Sequence, residues 1–405
     1  MRTGVRWILA AWLLAAGPAL LAGAEVRVDC DFPGGNVVVE GIDGDVVRLR
    51  PDLRDTAGWW FYWYYRVREA GGRTLQFRFT DRGPVGVRGP AVSCDGGATW
   101  RWLGAKSGDS RSFTYRFAPE QNDVRFCFTI PYLQADWERF LASHRGNPRL
   151  HPDVLCKSRG GRPVQCAYVG KPDGGPQHRV LLTARHHACE SLASFAVEGL
   201  LATVLDAETQ EGRWLAENVE LLVVPFVDKD GVERGDQGKN RRPRDHNRDY
   251  VGESLYPETA ALRELVPKWG GDKLHVTIDL HCPWIRGKHN EEIYMVGSPN
   301  PRIWAEQTRF GKILEGVCHG PLPYRAEDNL PFGVAWNQGN NFEQGKSCSR
   351  WGSEQPSVRL ATSFEVPYAN ARGAEVTPDS ARAFGRDVAR ALCRYLRDEG
   401  GEKER

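Results

Sequence analysis

Residues 178–205, HRVLLTARHHACESLASFAVEGLLATVL, set the tightest limit on what this chain can fold into. The run Val180-Leu181-Leu182-Thr183-Ala184 is short, apolar and rich enough to be a buried strand. Leu192, Phe195, Ala196, Leu200 and Val204 then recur at the spacing of one helical face. Where strand hands over to helix stand His187 and Glu190, three residues apart, so that both side chains share a face once the helix starts. A neutral nitrogen and an anionic oxygen are donors of the kind a catalytic zinc takes, and such a site needs a third protein ligand.

The rest of the second half repeats the alternation. Apolar strand candidates lie near 164–169, 180–184, 219–226, 275–280 and 358–366, with amphipathic helices near 190–205, 257–266, 301–315 and 378–397. This order predicts an α/β domain over 136–400 with a mixed, largely parallel sheet flanked by helices. Residues 25–135 read differently. Short β-branched and aromatic segments near 26–28, 37–39, 59–67, 75–79, 113–117 and 124–130 alternate with Gly, Asp and Pro turns, the pattern of an N-terminal β-sandwich. The aromatic run from Trp59 to Tyr65 is read as a strand buried on both faces rather than as a ring-stacking surface. A helix over 136–145 leads from one unit to the other.

In parallel sheets, ligands gather beyond the carboxyl ends of the strands. His281 ends the strand candidate at 275–280 as His187 follows the one at 180–184, which makes His281 the third ligand and leaves a fourth position for water. Asp279 or a backbone carbonyl could orient an imidazole from behind. Glu365, near the end of the last strand, is a candidate general base, because a buried glutamate there needs either a salt bridge or a proton to move. The cluster from Lys239 to Arg248 reads as a solvated loop, a nucleic-acid surface or an anion site in the cleft. A formal net charge of +2 and the nearby acids Asp228, Asp230, Glu233 and Asp236 weigh against nucleic acid. No Gly-x-Ser-x-Gly elbow is present, and Gly339…Gly345-Lys346-Ser347 has the wrong spacing for a phosphate loop.

Residues 1–24 read as an export signal, with Arg2 and Arg6 before an apolar run and Ala22-Gly23-Ala24 at the exit. No later stretch is apolar for long enough to span a bilayer. The expected location is therefore secreted or periplasmic, where ten cysteines favour disulfides. Cys156 and Cys166 flank a Gly160-Gly161 turn and could close a hairpin, and Cys189 and Cys282 each adjoin a ligand and could brace the site.

Taken in order, His187-x-x-Glu190, Asn247-Arg248, His281 and Glu365 resemble the zinc carboxypeptidase family. Residues 183–191, TARHHACES, together with Asp230-Gly231-Val232 and Asp245-His246-Asn247-Arg248, most resemble its cytosolic carboxypeptidase branch, which removes C-terminal or side-chain-linked glutamates. The β-rich front half, including the run from Trp59 and Pro131-Tyr132, is similar to that branch's amino-terminal domain. The resemblance implies one zinc ion on His187, Glu190 and His281, Glu365 as general base, and Asn247 and Arg248 on a substrate carboxylate. It also implies an arginine, Arg241 or Arg242, polarising the scissile carbonyl, and peptide or protein C-termini as substrates. The phenol that pancreatic-type relatives carry before the base has no counterpart, since no Tyr lies between Tyr324 and Tyr368. A zinc amidase or endopeptidase on cell-wall peptides, or an inactive peptide- or sugar-binding relative, are the competing readings.

Overall fold

The computed structural model describes residues 25–171 and 175–401. The expected export signal, residues 1–24, lies outside them. Among the described residues no helix is long and apolar enough to cross a membrane.

The front unit is two sheets packed face to face. One orders Arg27–Asp29, Tyr64–Arg68, Val124–Cys127, Ala91–Ser93 and Arg101–Trp102; the other orders Val38–Asp43, Val46–Arg50, Thr74–Phe79 and Ser112–Arg116. Aromatic rings fill the space between them. Phe77 lies 4.9 Å from Phe113 and 5.1 Å from Phe126, and Trp63 lies 4.9 Å from Phe79. Of the run 59–65, only Tyr64 and Tyr65 enter a strand. Phe61 and Trp63 are nonetheless fully buried, so the expected burial holds without the expected length of strand.

The second unit is built on a seven-stranded sheet in the order Leu150–Lys157, Pro163–Gly170, Val219–Val224, His178–Ala184, Leu274–His281, Leu360–Glu365 and Tyr294–Met295. The four strands from Val219–Val224 to Leu360–Glu365 run parallel, and the remaining pairings are antiparallel. Strands Val219–Val224 and Leu360–Glu365 are buried at every position, as a sheet covered by helices on both faces requires. Each periodic segment of the sequence corresponds to an element. The edge strands, Leu150–Lys157 and the two-residue Tyr294–Met295, carry too little apolar pattern to announce themselves.

One local expectation fails. The helix begins at Leu192, so His187 and Glu190 precede it instead of sharing its first turn. A tight turn brings them together, with Glu190 N–H donating to the His187 carbonyl at 3.3 Å. Residues 184–201 are all buried, which fixes this turn between the sheet and the front unit.

The helix Leu192–Asp206 packs against the C-terminal helix Pro378–Gly401 through two glycines. A Cβ on Gly199 would collide with the Arg382 carbonyl, and one on Gly385 with the Ala196 carbonyl. Backbone therefore meets backbone directly under the ligand turn. Gly199→Ala, which gains about 1 kcal/mol from helix propensity alone, is expected instead to destabilise the protein by ~1–3 kcal/mol through overpacking. Thermal denaturation checks this, and an unchanged or raised Tm would contradict the packing described.

Candidate metal centre and substrate cleft

Parallel register delivers the chemistry to one edge. His281 and Glu365 are paired across neighbouring strands, and Ala184, which leads into the ligand turn, is paired with Leu280. The donor atoms of His187, Glu190 and His281 all lie within 4.8 Å of one another. Glu190 Oε1 is 2.8 Å from His187 Nδ1, and Glu190 Oε2 is 2.7 Å from His281 Nδ1. Both imidazoles thus aim the same nitrogen at one carboxylate.

The opposite nitrogens are held from behind. Asp279 Oδ2 lies 2.6 Å from His281 Nε2, and Asp245 Oδ1 lies 3.6 Å from His187 Nε2. At His281 the carboxylate accepts from Nε2 and fixes the tautomer that leaves Nδ1 free as a donor toward a cation, whereas at His187 the longer distance is a charge contact without a hydrogen bond. Asp279 is itself fixed, its Oδ1 lying 2.8 Å from His186 Nδ1 and accepting from the Thr183 hydroxyl at 2.8 Å. Two nitrogens and one carboxylate with oriented partners suit a tetrahedral zinc with one open position.

The same groups set one another's charges. Burial opposes charge on Glu190, but the two imidazoles outweigh it and hold the carboxyl well below its ordinary range. Burial also opposes charge on His281, yet the carboxylates of Asp279 and Glu190 raise its pKa well above the usual imidazole value. Glu365 differs. Burial, helped by the Glu190 charge, pushes its carboxyl up to about 8 even though His281 pulls the other way. Its Oε2 is buried and has no hydrogen-bond partner among the described residues. A raised carboxyl with an unspent lone pair is suited to carrying a proton.

His187, His281 and Glu365 line a cavity with Asn247, Arg248 and Arg350. Asn247 is locked by accepting from Cys348 N–H at 2.9 Å, and its Nδ2 lies 3.2 Å from His281 Nε2. Arg248 donates to the carbonyls of Asn341 and Asn247 at 3.0 and 2.7 Å. Arg350 stacks over Phe342 with its guanidinium carbon 4.3 Å from the ring centre. Among the described residues neither arginine is ion-paired with a carboxylate. On the other side of Glu365 a second cavity opens between Trp60, Trp284 and Trp336. Trp284 and Trp336 are 37% and 38% exposed, so flat apolar faces meet solvent within the cleft.

Six of the eight residues singled out from sequence meet here: His187, Glu190, His281, Asn247, Arg248 and Glu365. Arg241 and Arg242 do not. Arg241 is bound by three carboxylates, Asp55 at 3.1 Å, Asp228 at 2.9 Å and Asp236 at 2.8 Å. Arg242 is exposed and lines neither cavity. Lys239 of the same loop does reach the cleft, with Nζ 3.5 Å from His187 Nε2. Sequence placed Lys239 in the basic cluster without distinguishing it, and no pattern marked Arg350. Both depend on how loops fold back over the sheet edge. A phenol beside Glu365 is that of Tyr294, paired with it across the sheet, but it is fully buried and accepts from Trp336 Nε1 at 3.3 Å.

The anticipated disulfides are absent, since all ten cysteines are free thiols. Cys156 pairs with Val164 and Cys166 with Asp153, so the two thiols are not opposite each other on the hairpin. The Cys189 thiol lies 3.7 Å from the Tyr368 hydroxyl instead of bridging to Cys282.

Residues 139–256 match the zinc carboxypeptidase family. Human cytosolic carboxypeptidase 2 is 24% identical over 216 residues, which are 50% of this chain and 24% of that protein. The chain therefore spans about a quarter of the length of the cytosolic carboxypeptidase it matches. An uncharacterized protein of Zymomonas mobilis is 24% identical over 264 residues, 63% of this chain and 67% of that protein. A metallo-carboxypeptidase of Burkholderia cenocepacia has the same fold at a TM-score of 0.75 and 21% identity, covering 92% of this chain and 99% of that one. With the His–Glu–His cluster already at the sheet edge, these likenesses establish that the chain carries a zinc carboxypeptidase domain homologous to the cytosolic carboxypeptidases.

Proposed function

We propose that the protein is a zinc metallocarboxypeptidase that removes a C-terminal amino acid bearing an acidic side chain. The observation that carries this reading is the pair Arg248 and Arg350, two guanidiniums without carboxylate partners among the described residues, opening on the same cavity as Glu365. Burial lowers the pKa of both, and Arg248 lowers that of Arg350 further, so each gains from an arriving anion. A terminal glutamate or aspartate brings two carboxylates, one for each arginine.

The chemistry that zinc supplies when held by His187, Glu190 and His281 is Lewis acidity toward a carbonyl and acidification of water. The chain's own groups do the rest. Arg248 and the Asn247 amide bind the terminal carboxylate, which sets the scissile bond one residue inward. Glu365 accepts the proton of the attacking water and delivers it to the departing amine nitrogen. The raised carboxyl of Glu365 makes the second transfer easier than an exposed glutamate would. The aromatic cleft beyond Glu365 receives the chain upstream of the cut. Residues 1–24 support action outside the cytoplasm, as a secreted or periplasmic enzyme.

Product analysis on peptides ending in Glu, Lys, Phe and D-Ala tests the reading. Free glutamate should be released fastest, and activity should vanish with a chelator and return with zinc. Binding without turnover would instead support an inactive relative, and cleavage of amidated or internal sites an endopeptidase. Glu365→Gln is expected to keep stoichiometric zinc while kcat falls by ~100- to 10,000-fold; metal analysis beside steady-state kinetics decides it. Arg350→Ala should raise KM for Glu-ending peptides by about tenfold or more, as loss of a charge-assisted contact does, with little change for Ala-ending ones. Equal effects on the two would remove Arg350 from specificity.

A further inference from the structure

We propose that His186, which is not one of the ligand trio, is a positioning residue for the metal centre: with Thr183 it holds the Asp279 carboxylate that orients His281. The proposal rests on the metal centre described above and not on the identity of the substrate. His186 is fully buried, and both its ring nitrogens are engaged. Nδ1 lies 2.8 Å from Asp279 Oδ1, and Nε2 lies 2.7 Å from the Tyr250 hydroxyl. An ionised Asp279 can only accept, so Nδ1 carries the proton and Nε2 accepts from the Tyr250 O–H.

The backbone gives two consecutive histidines different partners. Arg185, just before them, stands at φ 62°, in the left-handed region that a residue with a Cβ rarely adopts. Its guanidinium is fixed by the carbonyls of Tyr132 at 2.7 Å and Ala188 at 3.0 Å. The chain leaving this turn brings His187 to Glu190 and His186 to Asp279. Thr183 and Asp279 are paired on neighbouring strands, and residues two apart on a strand share a face, so Thr183, Asp279 and His281 lie on one side of the sheet. Asp279 Oδ1 thus takes two donors, the Thr183 hydroxyl and His186 Nδ1–H, which leaves Oδ2 to His281 Nε2 at 2.6 Å.

Held by two donors, the carboxylate keeps its orientation, and His281 keeps its Nε2 proton toward Asp279 and its Nδ1 toward the metal. Tyr250 follows Arg248 by two residues, so the same imidazole also ties the ligand turn to the segment of Asn247 and Arg248. A histidine kept only to fill space would be replaced best by leucine. One kept for its Nδ1–H would be replaced best by asparagine, whose amide N–H stands where that N–H does. The donor atoms of His186, Asp279 and Cys348 also lie within 4.8 Å of one another, but His186 Nδ1 and Asp279 Oδ1 satisfy each other there without an ion.

The test measures zinc affinity by competition with a chromogenic chelator in wild type, His186→Leu, His186→Asn and Asp279→Asn, with Tm followed throughout. His186→Leu is expected to weaken zinc by ~10- to 100-fold, the usual loss when a group behind a metal ligand is removed, and His186→Asn by less than about threefold. Asp279→Asn should weaken zinc at least as much as His186→Leu. The double variant should be no weaker than Asp279→Asn alone, because His186 acts through that carboxylate. In the cobalt-loaded protein, visible absorption should change in His186→Leu and stay as in wild type in His186→Asn. Unchanged zinc affinity in His186→Leu, additive losses in the double variant, or His186→Leu retaining zinc better than His186→Asn overturns the proposal. So do two zinc ions per wild-type chain with one lost in His186→Leu, which would make His186 a ligand. Should His186→Leu not fold, Thr183→Val removes the other donor to Asp279 Oδ1 in a side chain of the same shape. It is expected to weaken zinc by ~10-fold, and wild-type affinity there overturns the proposal. A wild type that holds no zinc overturns the metal centre and this proposal with it, a result distinct from each of these.

Discussion

Glu190 is a buried carboxylate shared between two imidazoles, and most of the molecule can be read as the means of putting it there. Behind its two imidazoles lie further buried acids, Asp279 and Asp245, with Glu365 paired to His281 on the neighbouring strand. Clustering carboxylates in low dielectric is costly unless cations balance them. A dication held by His187, Glu190 and His281 would supply that balance. The same arrangement gives each acid a different charge. Glu190 is held ionised by its two neighbours, whereas burial raises the carboxyl of Glu365 and leaves one of its oxygens without a hydrogen bond among the described residues.

The parallel sheet explains why such distant residues can meet. Its strands end at a common edge, so residues 187, 281 and 365 need only follow or close their strands to converge. Precision comes from what lies beneath. The ligand turn sits on a helix whose backbone touches the C-terminal helix at Gly199 and Gly385, with no side chain between to give way. Rigid support of this kind keeps donor atoms in place without spending the donors themselves on structural contacts.

The front sandwich is more than an appended unit. Its core is an aromatic stack, but the chain leaving that core supplies Trp60 to the cleft and residues 55–57 to the loop of Lys239. Arg241 illustrates the division of labour. It joins Asp55 of the front unit to Asp228 and Asp236 of the second. A charge so fully committed to holding two units together is unavailable to a substrate, whereas Arg248 and Arg350 are paired with no carboxylate among the described residues and face the cavity.

The order of strands and helices, and the set His187, Glu190, His281, Asn247, Arg248 and Glu365 that meets at one sheet edge, were legible from the residues and the resemblance they carry. Each is tied to a local pattern: apolar runs of strand length, helical spacing, and chemistry-bearing residues at strand ends. What local pattern could not settle was any choice made by a long-range contact. The His187–Glu190 spacing suits a helical turn as well as the tight turn that forms, because burial against the front unit decides between them. One basic loop offered several cations of similar standing, and only three carboxylates from separate segments removed Arg241 and left Lys239 in the cleft. Arg350 and the tryptophans of the second cavity came with no periodic signal, since their positions follow from loops crossing the sheet edge. Sequence by itself determined which groups could do chemistry here; tertiary structure decided which of them face the substrate, because facing depends on partners far away in the chain.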